Sequence, residues 1–245
     1  MNITTKISPN HNIGRQGHTP DFIVLHTTGA GFTSAINTIM NPANQVSYHY
    51  VISPTGEIVQ AVDITNTAWH SGTRNDGSSM CNSHSNIAIV RQRRINANLY
   101  TIGIGFGDMP SGNPSPQQLT AAAALIRHIR TEVQRVYRFD IPLANIIGHV
   151  DITPRHRPDC PGVKFPYTEL RQLITPAPIL APTVNIRYRG QTTKINATNV
   201  EGRFITTFGE LAKVFANEPV QVRGALELAG KTVGWGGETN TILVE

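Results

Sequence analysis

Residues 21–30, Asp-Phe-Ile-Val-Leu-His-Thr-Thr-Gly-Ala, place four apolar side chains in a row directly before His26. An unbroken apolar run of that length is the pattern of a strand buried on both faces, as in a sheet covered by helices. His26 then stands at the carboxyl end of that strand, where α/β sheets collect ligands. Working outward, Ala35, Ile36, Ile39 and Met40 follow at helical spacing. Tyr48 to Ile52 and Ile58 to Val62 are predicted strands flanking a Ser-Pro-Thr-Gly turn at 53–56. Thr101-Ile-Gly-Ile-Gly-Phe106 is a further strand, its two glycines implying close backbone approach. Ser115 as N-cap, Pro116 at the first helical position and Gln118 completing a capping box predict a helix start. Its apolar face runs through Leu119, Ala122, Ile126, Ile129, Val133 and Val136. Ile146 to His149 is a short predicted strand and Tyr167 to Ile174 a closing helix. This alternation defines an α/β fold with a mixed central sheet flanked by helices.

Residues 175–183, Thr-Pro-Ala-Pro-Ile-Leu-Ala-Pro-Thr, carry three prolines and resist packing as helix. They are expected to link a domain over 1–174 to a small α+β domain over 184–245. In the small domain, strands are expected at 184–189 and 192–196, a helix at 208–216 and short strands after it. Of the charged side chains, residues 1–183 hold 14 basic and 10 acidic, and residues 184–245 hold 7 and 6. The net charge of +5 therefore resides mainly in the first domain and favours an anionic partner. Two cysteines cannot form a disulfide framework. No apolar run reaches the length of a transmembrane helix, and the first twenty residues lack the apolar core of a secretory signal. A secretory signal is therefore not expected. Nothing in the chain matches a nucleic-acid-binding motif, and nothing in it specifies an oligomeric state.

The chemistry concentrates in two places. His149 ends the short apolar strand at 146–148, and Cys160 follows in Gly-His-Val-Asp-Ile-Thr-Pro-Arg-His-Arg-Pro-Asp-Cys-Pro-Gly, residues 148–162. With His26 these make two imidazoles and a thiolate, a three-ligand zinc set with a fourth position open to water. Satisfied core or surface histidines are the alternative on pattern alone.

Five ordered blocks, residues 23–30, 46–60, 68–72, 101–106 and 148–162, resemble the zinc-dependent N-acetylmuramoyl-L-alanine amidase family, which includes amidase-type phage lysozymes and peptidoglycan recognition proteins. The resemblance implies one Zn2+ and hydrolysis of the amide between the muramic lactyl group and L-alanine of peptidoglycan. It implies His26 and His149 as ligands and, as the third, the residue before Pro-Gly, which is Cys160, with the adjacent Asp159 as the alternative. Tyr48 matches a tyrosine that orients water or stabilises an oxyanion. Trp69 and His70 fall in a segment that resembles one lining the groove and are expected to contact substrate, Trp69 alternatively filling core, while Thr27 is expected to position water at the substrate or else to be structural.

Two departures stand out. Many relatives carry a glutamate after the Ile-Gly-Ile of the central strand, where this chain has Gly105. Many also carry a lysine two residues before the third ligand, where this chain has Pro158 with Arg157 and His156 beside it. A tyrosine-assisted mechanism with Arg157 or His156 as auxiliary is the resulting expectation. The polar segment 74–98, with Cys81 and the run Arg91-Gln92-Arg93-Arg94, is expected to be a solvated insertion, or else a groove-side loop meeting anionic wall polymers. The small C-terminal domain resembles repeat domains of secreted wall proteins and is expected to tether the enzyme to the cell wall. The whole is expected to be an endolysin made in a host cytoplasm. A host autolysin, a sporulation amidase and a non-hydrolytic peptidoglycan-binding protein on the same fold are the alternatives.

Overall fold

The computed structural model describes residues 2–109 and 112–175 and, beyond them, six strands between residues 184 and 244. The chain divides into two compact units, Met1–Thr175 and Pro176–Glu245.

In the first unit the strands are β1 (Ile3–Thr5), β2 (His11–Asn12), β3 (Phe22–Thr27), β4 (Tyr50–Ile52), β5 (Ile58–Gln60), β6 (Thr67–Ala68), β7 (Thr101–Phe106) and β8 (Ile146–Gly148). The helices are α1 (Phe32–Met40), α2 (Ala88–Arg93), α3 (Pro116–Tyr137), α4 (His149–Ile152) and α5 (Tyr167–Ile174). Six strands form one sheet in the order β1-β5-β4-β7-β3-β8, parallel except for the β4/β5 hairpin. The remaining two, β2 and β6, pair antiparallel.

The period-two alternation of strand side chains sorts this sheet into two unlike faces. One carries Ile23, Leu25, Ile102, Ile104, Phe106, Tyr50 and Ile52 against Leu119, Ile126 and Ile129 of α3 and Leu170 of α5, the main core. The other face holds two smaller clusters. Val51 and Val59 pack on Ala35, Ile36 and Ile39 of α1. Phe22, Val24 and Ile147 pack on Val90, Ala97 and Tyr100. On this second face the register sets Gly103 beside Val24 and Gly105 beside His26. Two strand positions without side chains thus leave room on this face, which the rings of His70 and Tyr48 take up.

Four expectations are corrected. Gln118 makes no reciprocal capping bond: Ser115 Oγ accepts from its backbone N–H, while its buried side-chain amide donates to the carbonyls of Ile52 and Gly107. Its amide thereby joins two strand ends, adding a second donor to the Ile52 carbonyl, which already accepts from Gly107 N–H, and pairing the Gly107 carbonyl. His149 does not end a strand but opens α4, and the backbone leaves the β4 ladder in a bend at His49, so β4 begins at Tyr50. Residues 74–98 are a solvated insertion only in part: residues 74–77, Arg91, Gln92 and Arg94 are exposed, but part of the segment folds back on the sheet. Val90 is fully buried, and Arg93 pairs through both guanidinium nitrogens with Asp21 while lying 4.4 Å from the Tyr100 ring centroid. Cys81 is a buried free thiol.

In the second unit, β9 (Val184–Tyr188), β10 (Gln191–Ile195), β13 (Val233–Gly236) and β14 (Thr241–Val244) form a sheet in the order β10-β9-β14-β13. β11 (Ala197–Val200) and β12 (Arg203–Thr206) form a separate hairpin. The expected Pro-rich linker from 176 onward and the helix expected at 208–216 lie outside the described residues. Among the described residues no helix is long and apolar enough to cross a membrane.

Candidate metal centre

His26 is the penultimate residue of β3, held in the ladder against Gly105 and only 1% exposed. His149 is the first residue of α4, presented at the end of the neighbouring strand β8. Cys160 sits on the loop after α4, and that loop is fastened back to it: the Val150 N–H donates to the Cys160 carbonyl at 2.8 Å. Further pins are Arg157 N–H to Thr153 O at 2.8 Å and Thr153 N–H to His149 O at 3.0 Å. Residues 123 apart in sequence therefore converge because β3 and β8 are adjacent and parallel.

The three donors lie within 4.8 Å of one another, with His26 Nδ1 3.1 Å from His149 Nδ1 and 3.9 Å from Cys160 Sγ. Donor atoms around a tetrahedral zinc, with Zn–N near 2.0–2.1 Å and Zn–S near 2.3 Å, stand about 3.3–3.6 Å apart. Two imidazoles and one thiol at these separations fit zinc. The other nitrogen of His149, Nε2, is buried without a hydrogen-bond partner.

Electrostatics agree with the donor set. Burial, and then the neighbouring His149 and His70, hold His26 well below the ordinary imidazole range. Burial, then Arg157 and His156, push His149 down to about 3. Both rings are therefore neutral near pH 7, the form that offers a lone pair. Burial pushes the Cys160 thiol up to about 11, opposed by the Thr27 backbone and by Arg157. A divalent cation would reverse that last shift.

The other expected residues fall in distinct places. The Tyr48 ring lies 5.2 Å from that of His26, and its phenol is raised by burial, so it stays protonated. Asp159 is exposed and outside the converging group. Arg157 is exposed, and its charge acts on His26, His149, Tyr48 and Cys160 together. His156 is half-buried, with Nδ1 3.4 Å from Ser79 Oγ. The Thr27 hydroxyl accepts from the Gly29 N–H, and its backbone acts to lower the Cys160 pKa.

Trp69 is half-buried, with Nε1 donating to Asn12 Oδ1 at 2.7 Å. It lines a cleft of ≈ 520 Å³ with Gln16, Gln45, Asn96 and Asn98. His70 departs from expectation. It is buried, and its two ring nitrogens lie 3.0 Å from His26 Nε2 and 3.2 Å from Thr101 Oγ1, so neither is open to a substrate.

The sequence marked Gly103 and Gly105 as sites of close approach but not which side chains approach them. A Cβ on Gly103 would stand 2.5 Å from His70 Cγ, so this glycine is the seat of that ring. A Cβ on Gly105 would meet the Tyr48 ring at 3.0 Å, so the phenol overlies the position where many relatives carry glutamate. The available signal was the spacing of the two glycines, which puts both on one face of β7. Gly162 is equally constrained. Its φ is +146°, and a Cβ there would lie 2.1 Å from Gly112 Cα. Gly162→Ala is expected to destabilise the first unit by about 3 kcal/mol in urea titrations, through backbone strain and overpacking together. Because the cysteine loop must shift, zinc uptake is expected to fall with it.

Two histidines and a cysteine converging at the carboxyl end of the sheet make a candidate metal centre, and the family can be named. Residues 16–163 match the model of the Amidase_2 family, N-acetylmuramoyl-L-alanine amidase, and the chain belongs to that family. Among curated proteins it is similar to the 1,6-anhydro-N-acetylmuramyl-L-alanine amidase AmpD of Citrobacter freundii, 26% identical over 192 residues, covering 69% of this chain and 89% of the relative. The AmpD of Escherichia coli strain K12 is 25% identical over 190 residues, covering 69% and 90%. Among solved structures, a selenomethionine AmpD derivative superposes with TM-score 0.52 at 24% identity, covering 71% of this chain and 94% of that one. A mutant form of PlyL superposes with TM-score 0.52 at 15% identity, covering 72% and 100%. These two share the fold.

Proposed function

We propose that the first unit hydrolyses the amide between the lactyl group of N-acetylmuramic acid and L-alanine in peptidoglycan, with zinc held by His26, His149 and Cys160. The observation that carries this reading is the convergence of those three donors inside the segment that matches the amidase family. Zinc bound there supplies Lewis acidity toward the scissile carbonyl and a nucleophilic water near neutral pH.

The chain's own residues do the rest. The Tyr48 phenol, kept protonated by burial, donates a hydrogen bond to the oxygen that gains charge as water adds to the carbonyl carbon. Arg157 adds a positive charge at the mouth that favours the same charge build-up. With no carboxylate at Gly105, His156 is the residue available to carry a proton toward the departing amine. Burial, then Arg157 and Arg74, hold its pKa below the ordinary imidazole value, so it is neutral at pH 7. Tyr48→Phe is expected to lower kcat by about 10²–10³-fold with KM and zinc content little changed, since the lost hydrogen bond forms only as charge develops.

In this reading Trp69 contacts the glycan, the second unit tethers the enzyme to the wall, and the chain acts as an endolysin made in a host cytoplasm. The excess positive charge of the first unit suits anionic wall polymers. Mass spectrometry of fragments released from bacterial walls, with and without chelator, tests the proposal. Free N-terminal L-alanine on released peptides, lost with chelator, is the expected result. Fragments cut at a sugar linkage or within the stem peptide, or no release from several wall types by zinc-loaded protein, would overturn it.

A further inference from the structure

His26 has two ring nitrogens, and the surrounding polar groups assign a role to each. Nδ1 faces His149 Nδ1 and Cys160 Sγ, so it is the metal-side atom and must carry a lone pair. In a neutral imidazole the proton is then on Nε2, which must donate. The group it meets is His70 Nδ1 at 3.0 Å. His70 Nδ1 must therefore accept, which places the His70 proton on Nε2, 3.2 Å from Thr101 Oγ1. The Thr101 hydroxyl in turn donates to the Ala97 carbonyl at 2.8 Å, an oxygen that can only accept. Every link has one consistent direction, fixed at one end by a carbonyl and at the other by a lone pair.

The backbone is arranged to hold this chain of bonds still. Asn98 Oδ1 accepts from both the His70 and Ser71 N–H groups, at 3.2 and 2.8 Å. The His70 ring lies over Gly103, where a methyl group would not fit. Thr101, Gly103 and His26 belong to two adjacent parallel strands, so the relay is built on the rigid part of the fold.

We propose that His70 is a positioning residue for the metal centre: with Thr101 behind it, it locks His26 in the tautomer that presents Nδ1 to zinc. Metal-bound histidines ordinarily give their second N–H to a carboxylate, a backbone carbonyl or water. A neutral imidazole here fixes the ring without adding a second negative charge to a site that already holds a thiolate. Zinc thus keeps more of its positive charge for the carbonyl it polarises. The inference rests on the zinc reading of the His26, His149 and Cys160 cluster.

The test uses the full chain with two substitutions at one position. His70→Asn can keep an acceptor oxygen near the place of Nδ1, while His70→Leu removes it. In cobalt(II)-substituted protein, the shifted, exchangeable imidazole N–H proton of His26 is expected to persist in the parent and in His70→Asn. In His70→Leu it is expected to be lost to solvent exchange. Zinc affinity by chelator competition is expected to fall about 10–100-fold in His70→Leu and to recover in large part in His70→Asn. Thr101→Val, which breaks the relay one bond further out, should give an intermediate loss and serves as the decisive variant should His70→Leu fail to fold. An unchanged N–H resonance and unchanged zinc affinity in His70→Leu, or in Thr101→Val where it is the decisive variant, would overturn the inference. Failure of the parent to bind zinc, or full zinc binding by His26→Ala, would instead overturn the metal reading beneath it.

Discussion

Metal-free protein taken from about pH 7.5 to about pH 5 is expected to lose the folded state of its first unit, with stability falling from about pH 6.5 downward. Four imidazoles are buried there: His26, His49, His70 and His149 are 1%, 0%, 8% and 5% exposed. Burial is the largest cause of the lowered pKa of each, with neighbouring histidines and arginines adding to it. His149 is pushed to about 3 and the other three lie well below the ordinary value. As pH falls through about 6.5 the unfolded chain takes up protons at these four positions and the folded chain does not. More protons on the unfolded state means stability that declines with falling pH, by about 1.4 kcal/mol per unit for each ring once well below 6.5. Four rings acting together give about 5 kcal/mol per pH unit, comparable to the whole stability of a typical domain. Urea unfolding midpoints across pH 5–8 in the presence of chelator measure this. A midpoint that holds steady down to pH 5 would show that the rings can charge in place.

The parts of this centre that depend on short spacings are legible in the sequence. The apolar run before His26 marks a buried strand, and His149 and Cys160 lie on one short segment, α4 and the loop after it, so the candidate ligand set is suggested by pattern and resemblance. What stays hidden depends on register. That His26 stands beside Gly105 and Val24 beside Gly103 follows from how β3 and β7 align, which neither strand's own sequence states. Resemblance puts His70 at the substrate because its segment lines a groove in relatives. Its true place follows from an empty position on β7 over which its ring fits. The segment around α2 misleads for a related reason. Its arginines look solvated in sequence, yet Arg93 finds Asp21 and the Tyr100 face only once the chain has folded back on the sheet.

Gly105 and Tyr48 form a coupled pair on that same face. In the sequence the glycine is a puzzle, the absence of a carboxylate that many relatives carry. The structure gives it a steric consequence: the Tyr48 ring is 3.0 Å from where a Cβ would begin, so a longer side chain at 105 requires this ring to move. A side chain at 105 therefore needs the Tyr48 ring and the Thr28 methyl, 3.0 and 3.1 Å from its Cβ, to give by a few tenths of an ångström.

The identity of the third ligand yields the last prediction. Cys160→Ala is expected to weaken zinc binding on the order of 10³-fold, about 4 kcal/mol, and to abolish hydrolysis at ordinary zinc concentrations, while Asp159→Ala leaves both nearly unchanged. The reasoning begins with the backbone. Val150 N–H fixes the Cys160 carbonyl at 2.8 Å, and Sγ stands 3.9 Å from His26 Nδ1, so the thiol is aimed at the histidine pair before any metal arrives. Asp159 is exposed and outside the converging group, so recruiting it means unpicking the pins of the loop. Because the thiol sits near pKa 11 without metal, zinc must displace a proton to bind, and affinity is expected to rise about tenfold per pH unit between pH 6 and 8. Cys160→Asp should restore part of the affinity while flattening that pH dependence, because a carboxylate is already ionised over the range. Zinc content by mass spectrometry and chelator competition across pH separate the two candidates. Metal lost from Asp159→Ala but kept by Cys160→Ala would place the third ligand one residue earlier.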